Sequence, residues 1–565
     1  MFARITLLAA LALSAPLATA RVQGEAPGAA TEQAAPEVER IWNARNVEHL
    51  YNRAGFGARP AEVEYALRQR PAAFVKQLLE GFAPTSDPLF IDIPAMPERR
   101  DFEDRDEFEK AQNRFRAEER RVLTSFAGWW IDQMIEAKHP LQERMVLFWH
   151  GYFTSSTRDV KRTAAMVAQN ELFRRHALGN FSELVHAIVR DPAMLEYLDN
   201  NENRKDRPNE NLARELMELF TLGEGNYTEI DIKEGARALT GWRTTDDKTG
   251  SYFQPRNHDD GEKTILGKTA HFDADGFVDL LLAQPACPRW VARKLIVHFE
   301  GVEPDEARLA EYASFLVEKR WELRPFLMKL FLDPRFYRDE VRAERISSPV
   351  EYLVGATRRL GITVPPQILW LGAGQLGQRL FDPPSVKGWE GGEAWITTST
   401  LLGRGNMAGM LIGVVKLEDV LREDPLEVEP EDSMMGGDMM GGDAMSGADA
   451  KDAKKAGKRK VDLGPEMTGL QRMTNEMYFP RINLTARMQR AKVAGDMQIV
   501  DTLADELLPV PLSEPSRAAL LAFLRAERSV LSLEDGRLLT AGVKCEEILR
   551  RLAHLILSLP EAQLG

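Results

Sequence analysis

Asp104–Lys138 reads DRDEFEKAQNRFRAEERRVLTSFAGWWIDQMIEAK, a stretch with no proline and a single glycine, Gly128. Phe108, Phe115, Phe126, Trp129, Trp130 and Met134 recur at helix-compatible spacings among dense charge, which predicts one long amphipathic helix. Pro140 ends it and suits the first position of the next helix. The same punctuation continues outward. Gly179-Asn180 reads as a helix end followed by a cap, and Asp191-Pro192 as a cap followed by a proline start. Thr228-Glu229-Ile230-Asp231 resembles a capping box with Asp in place of Glu. Strand-like runs are few, and Ser251–Phe253 and Thr264–Leu266 around Asp260-Gly261 are expected to pair as one hairpin. The expected fold class is all-α: a multi-helix bundle with a small β-hairpin and loop insertion and a disordered internal linker.

At 565 residues the chain should hold two or three packed units. Its 86 acids and 73 bases give a net charge of −13, which argues against a general nucleic-acid binder. Cys287 and Cys545 are the 2 cysteines, enough for one disulfide at most and too few for a thiolate-only zinc site. Arg4, the apolar run Ile5–Leu13, and the small residues Ala18-Thr19-Ala20 describe a secretory signal peptide cleaved after Ala20. The run is too short for a hydrocarbon layer of roughly 30 Å, so no transmembrane anchor is expected and the mature chain should be periplasmic or secreted.

The expected organisation is a signal peptide over 1–20, a flexible tether over 21–40, a main helical domain over 41–422, a linker over 423–465, and a C-terminal helical segment over 466–565 that packs on the main domain. The linker follows from composition. Glu423–Ala450 holds nine acids and no base, with Met-Met-Gly-Gly-Asp twice, and Lys451–Lys460 holds six bases. Such a segment cannot bury enough apolar surface to offset its ordering entropy. Its five methionines could alternatively take a soft metal such as Cu(I).

Gly372-Ala-Gly-Gln-Leu-Gly377 matches a dinucleotide-binding pattern, yet Pro383-Pro384 cuts the following segment short and no βαβ series surrounds it. No nucleotide cofactor is expected, and the glycines read as tight turns. Around Gly261 the EF-hand pattern fails, because Arg256 and His258 stand where oxygen ligands belong. The sequons at Asn180, Asn226 and Asn483 carry little information.

Arg207–Gly223 is the chemically richest stretch. Wound at 100° per residue, it gathers Leu212, Leu216, Leu219 and Phe220 on one face. Asn211, Glu215 and Glu218 fall on another, with Arg214 beside them. Two carboxylates and an amide on one stripe could ligate a divalent metal or share a proton at a raised pKa; they could equally form a solvated face or a polar knot held by Arg214 and Arg237. Glu143 and His150 lie seven residues apart on one helix face, with His150 a candidate base or metal ligand or simply a hydrogen-bonded core histidine. Asn257–Lys263, with His258 and Asp259, reads as a polar loop able to close over the stripe.

At these residues a resemblance enters. Glu143–Phe153 (ERMVLFWHGYF), Asn209–Gly223 (NENLARELMELFTLG), Tyr227–Trp242 ending in ARALTGW, His258–Gly267 (HDDGEKTILG), Ser348–Val354 (SPVEYLV) and Pro384–Trp389 (PSVKGW) resemble the bacterial family catalogued as "domain of unknown function 1800", from about Trp42 to Leu559. The resemblance implies an exported, mostly helical protein without accepted catalytic residues. It also implies a partner, since members are often encoded beside a second exported family. The family's tryptophan–histidine motif commonly carries a second histidine; Tyr152 occupies that place here, which argues against a two-histidine metal site.

Two functions fit. The first is an exported envelope protein of unknown activity that binds a protein partner or polymer. The alternative is a secreted metal- or carboxylate-dependent hydrolase, with His150 as base, Glu215 and Glu218 as carboxylates, Arg214 or Arg237 holding an anionic substrate, and His258 and Asp259 in the closing loop. The hydrolase requires these groups in one open cleft, within about 5–6 Å of each other.

Overall fold

A computed structural model describes residues 34–81, 94–136, 138–420, 478, 480–493 and 495–565. The signal peptide expected over 1–20 and the linker expected over 423–465 lie outside the described residues. The tether expected over 21–40 is described only from residue 34, where Ala34–Ile41 is helical and Val38 is buried.

The fold is all-α, with two small sheets. Arg105–Glu136 forms one 32-residue helix. Its buried positions begin only at Glu119 and run through Val122, Phe126, Ala127, Trp130, Ile131 and Met134. The first turns therefore stand on the surface, supported by pairs such as Arg105–Glu109 at 2.9 Å. Pro140 opens the next helix, Pro140–Tyr152, which is buried along nearly its whole length. The Pro366–Gln375 helix crosses the long helix closely at Gly128, where a Cβ would come within 2.8 Å of Gln367 Nε2.

The local stops predicted from sequence are present. Asn180 caps Phe181–Ile188 by accepting from Ser182 N and Glu183 N, Asp191 caps Pro192–Tyr197 through Met194 N, and Thr228 and Asp231 form the capping box of Glu229–Ala238. C-terminal helices Leu484–Arg490, Asp496–Leu507, Glu514–Val530 and Val543–Leu557 pack among themselves and onto Pro349–Leu360 and Thr398–Ile412.

Two expectations need correction. Ser251–Phe253 (β2) pairs with Trp242–Thr244 (β1), and Lys263–Ile265 (β3) pairs with Lys268–Ala270 (β4), so there are two local hairpins rather than one. The second turns through Leu266 and Gly267, at φ +49° and +76°, the twist that matches a two-residue hairpin. Leucine seldom adopts that conformation, so the turn gave no sequence signal. The glycine-rich run is also not a set of turns. Gly372 and Gly374 lie inside the Pro366–Gln375 helix, where a Cβ on Gly372 would strike Met407 Cε; only Gly377, at φ +99°, turns the chain.

Among the described residues no helix is long and apolar enough to cross a membrane. Cys287 and Cys545 are free and buried.

Candidate functional site

The Asn211 stripe departs from a regular helix. Asn211–Glu215 is α-helical, and Leu216–Thr221 widens into a π-helix. Widening frees carbonyls from the ordinary ladder, and side chains from neighbouring elements take them. Trp290 Nε1 donates to Leu219 O at 2.8 Å, and Tyr152 Oη donates to Phe220 O at 2.8 Å. Tyr152, standing where the resembled family commonly has a histidine, thus clamps the π segment. Leu212, Leu216 and Phe220 are buried as expected, while Leu219 is only half-buried. Such π segments recur at functional sites.

Glu215 is half-buried beside Glu218. Burial first, then the Glu218 charge, pushes its carboxyl up to about 7, against the opposing pull of Arg214 and Lys387. Glu218 accepts from Tyr227 Oη at 3.0 Å. Arg214 is committed elsewhere: both Nη atoms donate to Glu229 at 2.8 Å, and Nη2 also reaches Glu210 at 3.2 Å.

Lys387 reaches this site on the Pro384–Trp389 loop. The loop is seated on the Pro140–Tyr152 helix by two close approaches. Thr154 Oγ1 donates to Val386 O at 2.6 Å, and Gly388 sits so near Gly151 that a Cβ would lie 2.5 Å from its carbonyl oxygen. Four of the quoted motif stretches, those holding Tyr152, Glu215, Tyr227 and Lys387, therefore meet around Glu215 and Glu218.

His150 belongs to a different setting. It is buried under Trp130, Phe173 and Phe381, with ring centroids 4.9, 4.8 and 5.2 Å away. Asn170 Nδ2 donates to its Nε2 at 3.0 Å. Burial, reinforced by the Arg174 charge, pushes its pKa down to about 3, so the ring is neutral. Glu143, foreseen on the same face, accepts from Trp130 Nε1 at 2.9 Å and from Arg174 Nε and Nη2 at 3.1 and 2.9 Å. Arg174 Nη1 donates to Asn170 Oδ1 at 2.7 Å, which closes a buried chain Glu143–Arg174–Asn170–His150.

The polar loop forms a third setting. His258 Nδ1 donates to Thr240 O at 2.9 Å, and its ring packs on Phe253. Asp259 accepts from Arg237 Nε at 2.7 Å and Nη2 at 3.2 Å, and that guanidinium holds its carboxyl below the usual range. Arg237 also takes Glu234 at 2.6 Å. The loop thus closes on the Glu229–Ala238 helix. Among the described residues, neither a hydrogen bond nor an ion pair joins His150, Glu215 or Glu218 to His258 or Asp259. No group of three or more His, Cys, Asp or Glu among the described residues is arranged to hold a metal ion.

Just N-terminal to Glu215 lies an open polar cleft of about 340 Å³, lined by Glu202, Arg207, Pro208, Asn209, Glu210 and Asn211. Asn211 Nδ2 donates to Asp199 Oδ2 at 3.3 Å on its edge. Sequence reasoning overlooked Lys387, Tyr227, Asn170 and Arg174 as members of these settings. Lys387 and Tyr227 lay within quoted motif stretches, which was the available signal.

Fold and site together define an all-α protein whose polar motif residues occupy three separate hydrogen-bonded settings on one helical scaffold. A family model described as "Protein of unknown function (DUF1800)" matches residues 49–564, nearly the whole chain, and the chain belongs to that family. No curated protein and no solved structure matches it.

Proposed function

We propose that the chain is an exported envelope protein that binds a protein partner or polymer through the Glu202–Asn211 cleft. The observation that supports binding over turnover is the dispersal of the candidate catalytic groups. His150 is sealed and neutral, His258 and Asp259 are tied to Thr240 and Arg237, and Arg214 is held by Glu229 and Glu210. The cleft, by contrast, offers open amide and charged groups suited to a polar ligand. Export is supported by the Arg4–Ala20 segment.

The test is binding of the mature chain, residues 21–565, to the proposed exported protein partner and to purified envelope polymer. A Glu202→Lys, Glu210→Lys variant should lose at least tenfold in affinity; equal affinity would remove the cleft from the proposal.

Glu215 favours a second reading. A half-buried carboxyl held near neutrality beside Glu218 and Lys387 can carry a proton, as a carboxylate-dependent hydrolase would need. On that reading the base is Glu215, with no part for His150, and hydrolysis of an envelope polymer abolished by Glu215→Gln would establish it.

A further inference from the structure

Three arginines, Arg53, Arg144 and Arg345, converge in the core where the Ala44–Ala54, Pro140–Tyr152 and Pro349–Leu360 helices meet, and Arg359 lines the cavity beside them. Arg53 and Arg144 are completely buried, Arg345 nearly so, and Arg359 is half-buried. Glu351 is the carboxylate ion-paired within this group, and Glu300 acts on Arg53 from farther off. Glu351 pairs through Oε1 with both Arg144 and Arg345, while its Oε2 accepts from Ser348 N at 2.8 Å. Among the described residues, Arg53 and Arg359 have no carboxylate within ion-pair distance. Arg53 donates to Val341 O and Arg359 to Asn52 Oδ1 at 2.7 Å. Nearby Glu300 is taken by Arg308 through two bonds of 2.6 Å, and Glu48 acts on Arg359 only from beyond ion-pair reach.

Buried cations demand counter-charge, and here Arg53, Arg144 and Arg345 share one ion-paired carboxylate, Glu351. Their unused donors make the same point: Arg53 Nε and Nη1, Arg144 Nη2 and Arg345 Nη1 are buried without a hydrogen-bond partner. Beside them is a cavity of about 20 Å³ whose lining mixes polar residues, Asn52, Arg345, Ser347, Glu351 and Arg359, with apolar ones such as Phe56 and Leu557 and with Gly565. That volume admits about one water-sized body and fits a monatomic ion.

We propose that this cavity is a chloride site, in which Arg345 Nη1 and the Arg359 guanidinium contact the anion and Arg53 and Arg144 supply the positive field that retains it. The anion would act as a structural counter-ion joining the N-terminal helices to the Pro349–Leu360 helix.

The test uses the full mature chain. Melting temperature is followed as chloride replaces gluconate at constant ionic strength, and bromide-soaked crystals are examined for anomalous scattering. A ligand that binds only the native state raises melting in proportion to the logarithm of its concentration, so about 1–2 °C per tenfold rise in chloride is expected above the dissociation constant. A bromide peak should lie within about 3–4 Å of Arg345 Nη1. Arg359→Met should flatten the chloride dependence, and because Arg359 is only half-buried this variant tests the site even where Arg345→Met fails to fold. Equal melting in chloride and gluconate, or density without anomalous signal in the cavity, would overturn the proposal.

Discussion

Asn170 Nδ2 donates to His150 Nε2 at 3.0 Å inside a shell of three aromatic rings. The imidazole therefore works as a hydrogen-bond acceptor in the core, and its depressed pKa gives a definite sign to its pH behaviour. Native His150 titrates at about 3, while unfolded histidine titrates near its ordinary value of 6.5. Below about pH 6.5 the unfolded chain binds the extra proton, so this group removes stability progressively as pH falls toward 3. Nitrogen-15 NMR at pH 5 should find a neutral ring. A His150→Gln variant should lose less stability than the wild type between pH 7 and pH 4.5, and an imidazolium signal at pH 5 would contradict the burial argument.

Glu143 and Arg174 form a buried bidentate pair whose outer donors also hold Asn170 and Glu171. Removing one charge strands the other. Arg174→Met should cost about 3–5 kcal/mol in denaturant unfolding. Adding Glu143→Leu to that variant should recover a substantial part, and a double variant no better than the single would show that the loss comes from packing.

Glu215 carries the opposite sign from His150. Its folded pKa of about 7 lies above the ordinary carboxyl value of 4.5. The native state binds more protons than the unfolded chain between these values, so stability falls as pH rises from about 4.5 to 7. Glu215→Gln should therefore match the wild type near pH 4 and exceed it at pH 8. Because the carboxyl is only half-buried, solvent screening limits the gain to about 1 kcal/mol. Thermal melts across that range provide the check.

Gly388 is held at φ +80°, with the Gly151 carbonyl where its Cβ would go. Gly388→Ala should cost about 1–3 kcal/mol through backbone strain and lift the loop that carries Lys387. Losing the lysine's pull should move the Glu215 titration upward, which carbon-13 NMR of the side chain would record. An unchanged Glu215 titration would mean that Lys387 plays no part there.

Features closed within four residues were legible in the sequence. Asn180, Asp191, and Thr228 with Asp231 each set a helix end through a bond to a near neighbour, Pro140 starts one through its fixed backbone angle, and all were foreseen. The long helix was legible because its apolar positions repeat at one period. The hairpin pairing failed where Leu266 took a conformation its type rarely adopts. The π segment was equally hidden, since Leu216–Thr221 is widened by donors from Tyr152 and Trp290, far along the chain. Residue spacing placed Glu215 next to Glu218 and Glu143 on the face of His150. It could not reveal that Arg174 and Arg237 would draw the imidazole and the loop acids into separate settings, because those partners are chosen by helix packing.

Equilibrium titration of residues 21–565 against the proposed exported protein partner and against envelope polymer tests the central claim most directly. Saturable binding to one of them, weakened at least tenfold by Glu202→Lys, Glu210→Lys and unchanged by His150→Gln, is the predicted result. Absence of binding to both, together with polymer hydrolysis that vanishes in Glu215→Gln, would contradict it.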